Sequence, residues 1–218
     1  MINTMRKQFA ELRPMGGFRV ILADAAWPFA NFSPKGEGKG PSAHYDCMTV
    51  DEIAAMPVDL LAADDCALFM WVTWPLMPEW NRVLKAWGFE FKGLAWEWRK
   101  FNPDTGKYAF GTGYGTRKNL EPCLLATRGN PSLKSELPDD LFGVGSVPEG
   151  VRSVRDWMEW WPDVEIRAKA RGHSRKPDEQ YDRIETMFDG PYIELFARQR
   201  RKGWSAWRNQ VDRFGDVA

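Results

Sequence analysis

A chain of 218 residues is long enough for one sizeable hydrophobic core and short for two, so a single domain spanning 1–218 is expected. Lys and Arg number 30 and so do Asp and Glu, which leaves no whole-protein field to attract a polyanion; any nucleic-acid site has to be a local basic patch. The three cysteines are too few and too far apart for a disulfide framework. They give no paired spacing for zinc with His44 and His173, and no metal site is expected.

The N-terminal stretch is charged throughout and lacks the apolar core of a signal peptide, and no later run reaches membrane length. A soluble chain of the reducing cytoplasm is the expectation. Phe18 to Ala23 is a short apolar run ending at Asp24, the pattern of a strand buried on both faces in a parallel sheet. Residues 31–43, rich in Gly, Pro and Lys, predict a loop, and the loop region is drawn near 28–44. Thr49 reads as the N-cap of a helix over Val50 to Ala55. Cys66 to Thr73 predicts a second buried strand, Pro75 to Trp87 a helix stopped by Gly88, and Phe91 to Trp98 a third strand.

Residues 101–120 are polar and glycine-rich and predict a second long loop, after which Pro122 to Thr127 reads as a strand. The stretch near 132–165, with its Trp157, Trp160 and Trp161 cluster, has no clear assignment and is treated as an insertion. It is a candidate recognition or dimer element or, more simply, a local hydrophobic cluster. Pro177 to Met187 predicts a helix with proline at its first position, and Tyr192 to Phe196 a strand. Strands that are continuously apolar and alternate with helices predict an α/β fold, a mostly parallel sheet with helices on both faces. Ligands in such folds sit beyond the carboxyl ends of the strands, which here carry Asp24, Thr73, Lys100 and Arg198.

Asp24-Ala25-Ala26-Trp27 sets a carboxylate, open main-chain carbonyls and a stacking ring at one strand end. Alone, such a tetrapeptide is as well explained by a turn cap. Taken with Ala43-His44-Tyr45-Asp46-Cys47-Met48, Leu68 to Thr73, Glu121-Pro122-Cys123-Leu124, His173 to Glu179, Glu194-Leu195-Phe196-Ala197-Arg198 and Asn209-Gln210, it resembles a known family. That family is the adenine methyltransferases related to the catalytic subunit of the mRNA N(6)-adenosine methyltransferase complex, with bacterial and phage DNA-modifying relatives. The blocks stand in the family's order from about Phe18 to about Gln210.

The resemblance implies a Rossmann-like fold with permuted motif order and S-adenosylmethionine as cofactor. It implies that Asp24, the Ala25 carbonyl and Trp27 form the catalytic turn, with Asp24 meeting the target amine. Asp24, Lys176, Glu194, Phe196, Arg198, Asn209 and Gln210 would line the cofactor site, and Tyr45 would hold the adenine with Trp27. Trp71, Lys39 and Lys100 are further candidate substrate contacts. Nucleic acid, with DNA preferred because the chain is compact, is the implied partner. No membrane partner is implied, and a homodimer is one open arrangement.

The family has Asp-Pro-Pro-Trp where this chain has Ala25 and Ala26, so the fixed φ angles of two prolines are missing while both carbonyls remain. Each proline is worth roughly 0.4–1 kcal/mol of chain entropy. Two readings therefore stay open: an adenine methyltransferase, and a weakly active or non-catalytic relative that binds cofactor or nucleic acid. Gly36 to Ser42 lacks the spacing of a phosphate loop, and Gly111 to Gly115 is an imperfect dinucleotide fingerprint, so neither supports a nucleotide hydrolase or an NAD enzyme. Arg198 to Arg208, with Trp204 and Trp207 interleaved, is either a tracker of the phosphate backbone or a solvated basic tail.

Overall fold

Strand β1 (Phe18–Ala23) explains its own burial through its neighbours: it pairs in parallel with β2 (Ala62–Trp71) on one side and with β6 (Tyr192–Leu195) on the other. With both edges paired and both faces covered beyond the exposed Arg19, the rest of the strand is apolar, and Val20, Ile21, Leu22 and Ala23 are all buried. The computed structural model describes residues 2–28, 47–102, 104–108, 119–134, 163–171 and 175–207. Their seven strands form one sheet in the order β5-β3-β4-β2-β1-β6-β7, where β3 is Glu90–Phe101, β4 is Leu120–Arg128, β5 is Glu165–Lys169 and β7 is Trp204–Trp207. Only β4 runs against the rest, antiparallel to both β2 and β3. The mostly parallel sheet read from the sequence is the one observed.

Each face of the sheet carries its own core. On one side Ile21, Leu68 and Met70 pack with Phe9 of α1 (Ile2–Leu12), Ile53 of α2 (Val50–Ala54) and Trp80, Val83 and Leu84 of α3 (Met77–Ala86). On the other, Leu22, Phe69 and Trp71 pack with Trp96 and Trp98 of β3 and with Tyr181 and Ile184 of α4 (Glu179–Met187). The alternation of Ile21 and Leu22, or of Met70 and Trp71, between the two cores follows from the two-residue period of a strand. Many of the twelve tryptophans are therefore structural: Trp71, Trp87, Trp96 and Trp98 are fully buried. Trp96 also stacks on Phe69 with ring centroids 5.0 Å apart.

The expected elements are present with shifted ends. β2 starts at Ala62 rather than Cys66 and stops at Trp71 rather than Thr73, because Thr73 opens a 3-10 turn over Trp74–Leu76 that delays α3 to Met77. α4 starts at Glu179, since Pro177 spends its carbonyl on the Gln180 amide in a tight turn before the regular helix. Thr49 caps α2 through a full capping box with Glu52. α1, β5 and β7 are present in addition to the expected elements. β7 corrects the basic-tail reading at its apolar positions: Trp204 is buried, stacks on Tyr192 at 4.8 Å and donates to Glu185 at 2.6 Å, while Arg201 pairs with Asp182 at 2.7 Å.

The loop near 28–44 and the insertion near 132–165, with Trp157, Trp160 and Trp161, lie mostly outside the described residues, as does much of 101–120. Among the described residues no helix is long and apolar enough to cross a membrane.

Candidate functional site

Five elements end at one edge of the sheet, and their ends bring together groups far apart in sequence. β1 delivers Asp24, β2 delivers Trp71, β3 delivers Lys100, and the turn after β6 delivers Arg198 and Gln199. The antiparallel β4 delivers Glu121 from its beginning rather than its end. The segment leading into α4 adds Arg175, Lys176 and Asp178, and its first turn adds Gln180 and Tyr181.

Phe196 makes the turn after β6 sharp. It sits at φ 64°, a left-handed conformation that costs a bulky residue free energy, and it is held there by burial and by donating its amide to the Trp207 carbonyl at 2.9 Å. The residues that follow are thereby folded back toward Asp24.

Asp24 is engaged at both oxygens: Lys176 Nζ lies 2.8 Å from Oδ1 and Arg198 Nη2 lies 3.2 Å from Oδ2. Lys176 also reaches Glu121 Oε2 at 3.5 Å and sits 5.4 Å from the centre of the Trp71 ring. Lys100 pairs with the other Glu121 oxygen and covers the Trp98 ring. The result is a chain of alternating charge, Lys100–Glu121–Lys176–Asp24–Arg198. Burial alone would push the Glu121 carboxyl up, but Lys176 and Lys100 together hold it below the usual carboxylate range. Burial likewise opposes the Lys176 charge, yet Asp24 and Glu121 outweigh it and keep the ammonium protonated.

Glu194, on β6, behaves differently. Burial pushes its carboxyl up to about 7 against the hydrogen bond from the Tyr181 hydroxyl at 2.8 Å, and the nearby Asp24 charge adds to the rise. The two buried thiols are inert, Cys66 being pushed up to about 12 and Cys123 well above its ordinary value by burial. Neither supplies a nucleophile at neutral pH.

The turn after Asp24 is held by hydrogen bonds. The Trp27 amide donates to the Ala25 carbonyl at 2.8 Å, which leaves that oxygen one lone pair, and the Met48 amide donates to the Ala26 carbonyl at 3.0 Å. The Trp27 indole donates to the Trp71 carbonyl at 2.8 Å, and the Trp71 indole donates to Gln180 Oε1 at 2.6 Å. Trp27 and Trp71 are both buried, so each ring forms wall rather than exposed surface.

A small pocket is lined by Asp24, Arg175, Lys176, Gln180, Tyr181, Glu194, Arg198 and Gln199. Of the expected site residues it gathers Asp24, Lys176, Glu194 and Arg198. Lys100 and Trp71 adjoin it through Glu121 and Lys176, and Phe196 is buried in the core on the turn after β6. Tyr45, Lys39, Asn209 and Gln210 fall outside the described residues. Glu121, Asp178, Gln180, Tyr181 and Gln199 had received no role. The signal available for them is position, each within or beside a family motif at a strand end or helix start. Among the described residues no group of His, Cys, Asp and Glu is placed to hold a metal ion.

Comparison with known proteins identifies the family. A family model described as MT-A70 matches residues 18–210. The chain is 30% identical over 227 residues to the Type II methyltransferase M.MunI of Mycoplasma sp, covering 96% of this chain and 84% of that one. It is 29% identical over 213 residues to the human N(6)-adenosine-methyltransferase catalytic subunit METTL3, and 28% identical over 215 residues to the human N(6)-adenine-specific methyltransferase METTL4. Those matches cover 94% and 92% of this chain but only 30% and 39% of the two human proteins.

Proposed function

The chain belongs to the MT-A70 family, and on that premise we propose that it is an S-adenosylmethionine-dependent enzyme that methylates the exocyclic amine of adenine in DNA. The observation that carries the reading is Asp24, an oriented carboxylate at a strand end, sharing one pocket with Lys176, Arg198 and Glu194.

An adenine amine is a poor nucleophile because its lone pair is delocalised into the ring. Acceptors that take its two hydrogens favour the pyramidal geometry of transfer and aim the lone pair. The free energy of that preorganisation comes from the Asp24 carboxylate and the remaining lone pair of the Ala25 carbonyl. S-adenosylmethionine supplies an electrophilic methyl on a sulfonium centre.

The donor set suits the amino-acid end of such a cofactor. Lys176 and Arg198, with Arg175 beside them, offer cations to a carboxylate, and Asp24 and Glu194 offer acceptors to an ammonium group. Asn209 and Gln210 are proposed for the ribose hydroxyls, and Tyr45 with Trp27 for the adenine face. Lys39 and Lys100 are proposed for the phosphate backbone, and the buried Trp71 acts through the Trp27 ring that it holds. DNA is preferred to RNA because the chain spans 84% of the compact M.MunI and about a third of the larger adenosine methyltransferases.

The test is transfer of labelled methyl to unmethylated duplex DNA, followed by nucleoside digestion. Label in N(6)-methyladenine that disappears in Asp24→Asn is the expected result, with a loss on the order of 10²–10³-fold for removal of one preorganised acceptor. Cofactor binding without label on DNA or RNA would instead favour a binding protein on this fold.

A further inference from the structure

Gln199 has no part in the reading above, yet it carries an unmet demand. Its side chain is 5% exposed, on the turn after β6, and lines the same pocket as Asp24 and Glu194. Its amide nitrogen lies 3.4 Å from Asp178 Oδ1 and beside the Tyr181 hydroxyl. The carboxylate can only accept, and the single Tyr181 hydrogen is spent on Glu194 Oε2 at 2.8 Å, so that hydroxyl also faces Gln199 as an acceptor. Turning the amide over would set oxygen against two oxygens. The nitrogen is therefore fixed toward Asp178 and Tyr181, and Oε1 is the atom left without a donor, on a residue that lines the pocket. Among the described residues Oε1 has no hydrogen-bond partner. A buried carbonyl without a donor is a cost to the fold, and a ligand that brings an N–H or O–H relieves it.

We propose that Gln199 is a cofactor-binding residue whose Oε1 accepts a hydrogen from the α-ammonium group of S-adenosylmethionine; this rests on the cofactor reading given above. An ammonium group carries three hydrogens and needs several acceptors. Asp24 and Glu194 line the pocket already, and a third carboxylate between them would add repulsion, whereas a neutral carbonyl adds a bond without adding charge. Lys176 and Arg198, both paired with Asp24, lie on the same pocket, so it holds the two signs of charge that the ends of a zwitterion require.

The experiment is calorimetric titration of the full chain with S-adenosylhomocysteine, which keeps the amino-acid end, and with methylthioadenosine, which lacks it. Gln199→Met fills a similar volume without an acceptor. It is expected to weaken S-adenosylhomocysteine about tenfold, the loss of one hydrogen bond to a charged group, and to leave methylthioadenosine within about twofold of the wild type. Its ligand-free melting temperature is expected close to that of the wild type, because removal of the orphaned carbonyl offsets the loss of the amide's contacts with Asp178 and Tyr181. Gln199→Asn, which keeps the amide but withdraws it by one methylene, is expected to weaken S-adenosylhomocysteine selectively as well and serves if the Met variant does not fold. Unchanged affinity for S-adenosylhomocysteine, or equal losses for both ligands, overturns the assignment while leaving the methyltransferase reading intact. A wild-type chain that binds neither ligand overturns both.

Discussion

Replacing Lys176 with Met removes the centre of the charge chain, and its cost follows from the geometry. Breaking a fully buried ion pair by deleting one partner costs about 3–5 kcal/mol. Here the Lys176, Asp24 and Glu121 side chains are 11%, 17% and 27% exposed, and each carboxylate keeps a second cation, Arg198 for Asp24 and Lys100 for Glu121. Water and these partners recover part of the loss, which leaves about 2–3 kcal/mol. For a chain of this size that lowers the melting temperature by about 4–12 °C at neutral pH.

The pH dependence carries the sharper test. Glu121 is held below its ordinary 4.5, so its contribution is present above that value and is lost as pH falls through the lowered one. Lys176 is held above its ordinary 10.5, so its contribution persists below that value and is lost only as pH rises beyond it. The gap between wild type and Lys176→Met should therefore be constant from about pH 6 to 9 and close in acid. Urea melts across that range measure it, and adding Glu121→Gln to the variant should restore part of the loss by removing the stranded carboxylate. A gap that persists unchanged into strong acid, where every carboxylate is protonated, or a double variant with simply additive losses, would refute the network as described.

Glu194→Gln should keep the Tyr181 hydrogen bond and remove a charge that the fold disfavours. A carboxyl raised to about 7 gives stability that is full below 4.5 and lost as pH rises through 7, so this variant should match the wild type in acid and exceed it by about 1–3 kcal/mol near pH 8. Equal or lower urea midpoints at the higher pH would show that Glu194 is not penalised there. Gln180→Leu should destabilise by about 1–3 kcal/mol because the buried Trp71 indole loses its acceptor, and Gln180→Glu should recover most of that. If the two variants melt alike, the hydrogen bond to Trp71 is not what Gln180 contributes.

What the sequence disclosed depended on whether a residue's neighbours were near it in the chain. β1 and β4 were legible because burial on both faces forces uninterrupted apolar runs, and α2 because Thr49 and Glu52 form a cap within four residues. β5 and β7 were not: at five and four residues they alternate with charged or polar positions, and their pairing partners lie far away in the chain. α1 did carry a signal, Ile2, Met5, Phe9 and Leu12 at helical spacing, which the charges around it obscured. In the site, the motif residues Asp24, Lys176, Glu194 and Arg198 meet in one pocket. Gln180, Gln199 and Glu121 carry no local mark beyond lying within or beside a motif, since what distinguishes each is a contact across tens of residues.

The same distinction bears on the missing prolines. In an Asp-Pro-Pro-Trp turn part of the stiffness is local, supplied by fixed φ angles worth about 1–2 kcal/mol for the pair. In this chain the turn is tied instead to the rest of the fold. Ala25 and Ala26 each give a carbonyl to a main-chain amide, and the buried relay from Trp27 through Trp71 to Gln180 anchors it to α4. The Trp27–Ala25 bond closes within the turn, while the other three reach across the fold, and at about 0.5–1.5 kcal/mol net each they match or exceed what two prolines supply. Asp24 is further held by Lys176 and Arg198, whose positions come from α4 and the turn after β6. The rigidity that orients the carboxylate is thus a tertiary property here, and replacing the prolines by alanine need not dismantle the site. By the same argument Gln180→Leu, at the far end of the relay from Asp24, should disturb that orientation more than proline at positions 25 and 26 would improve it.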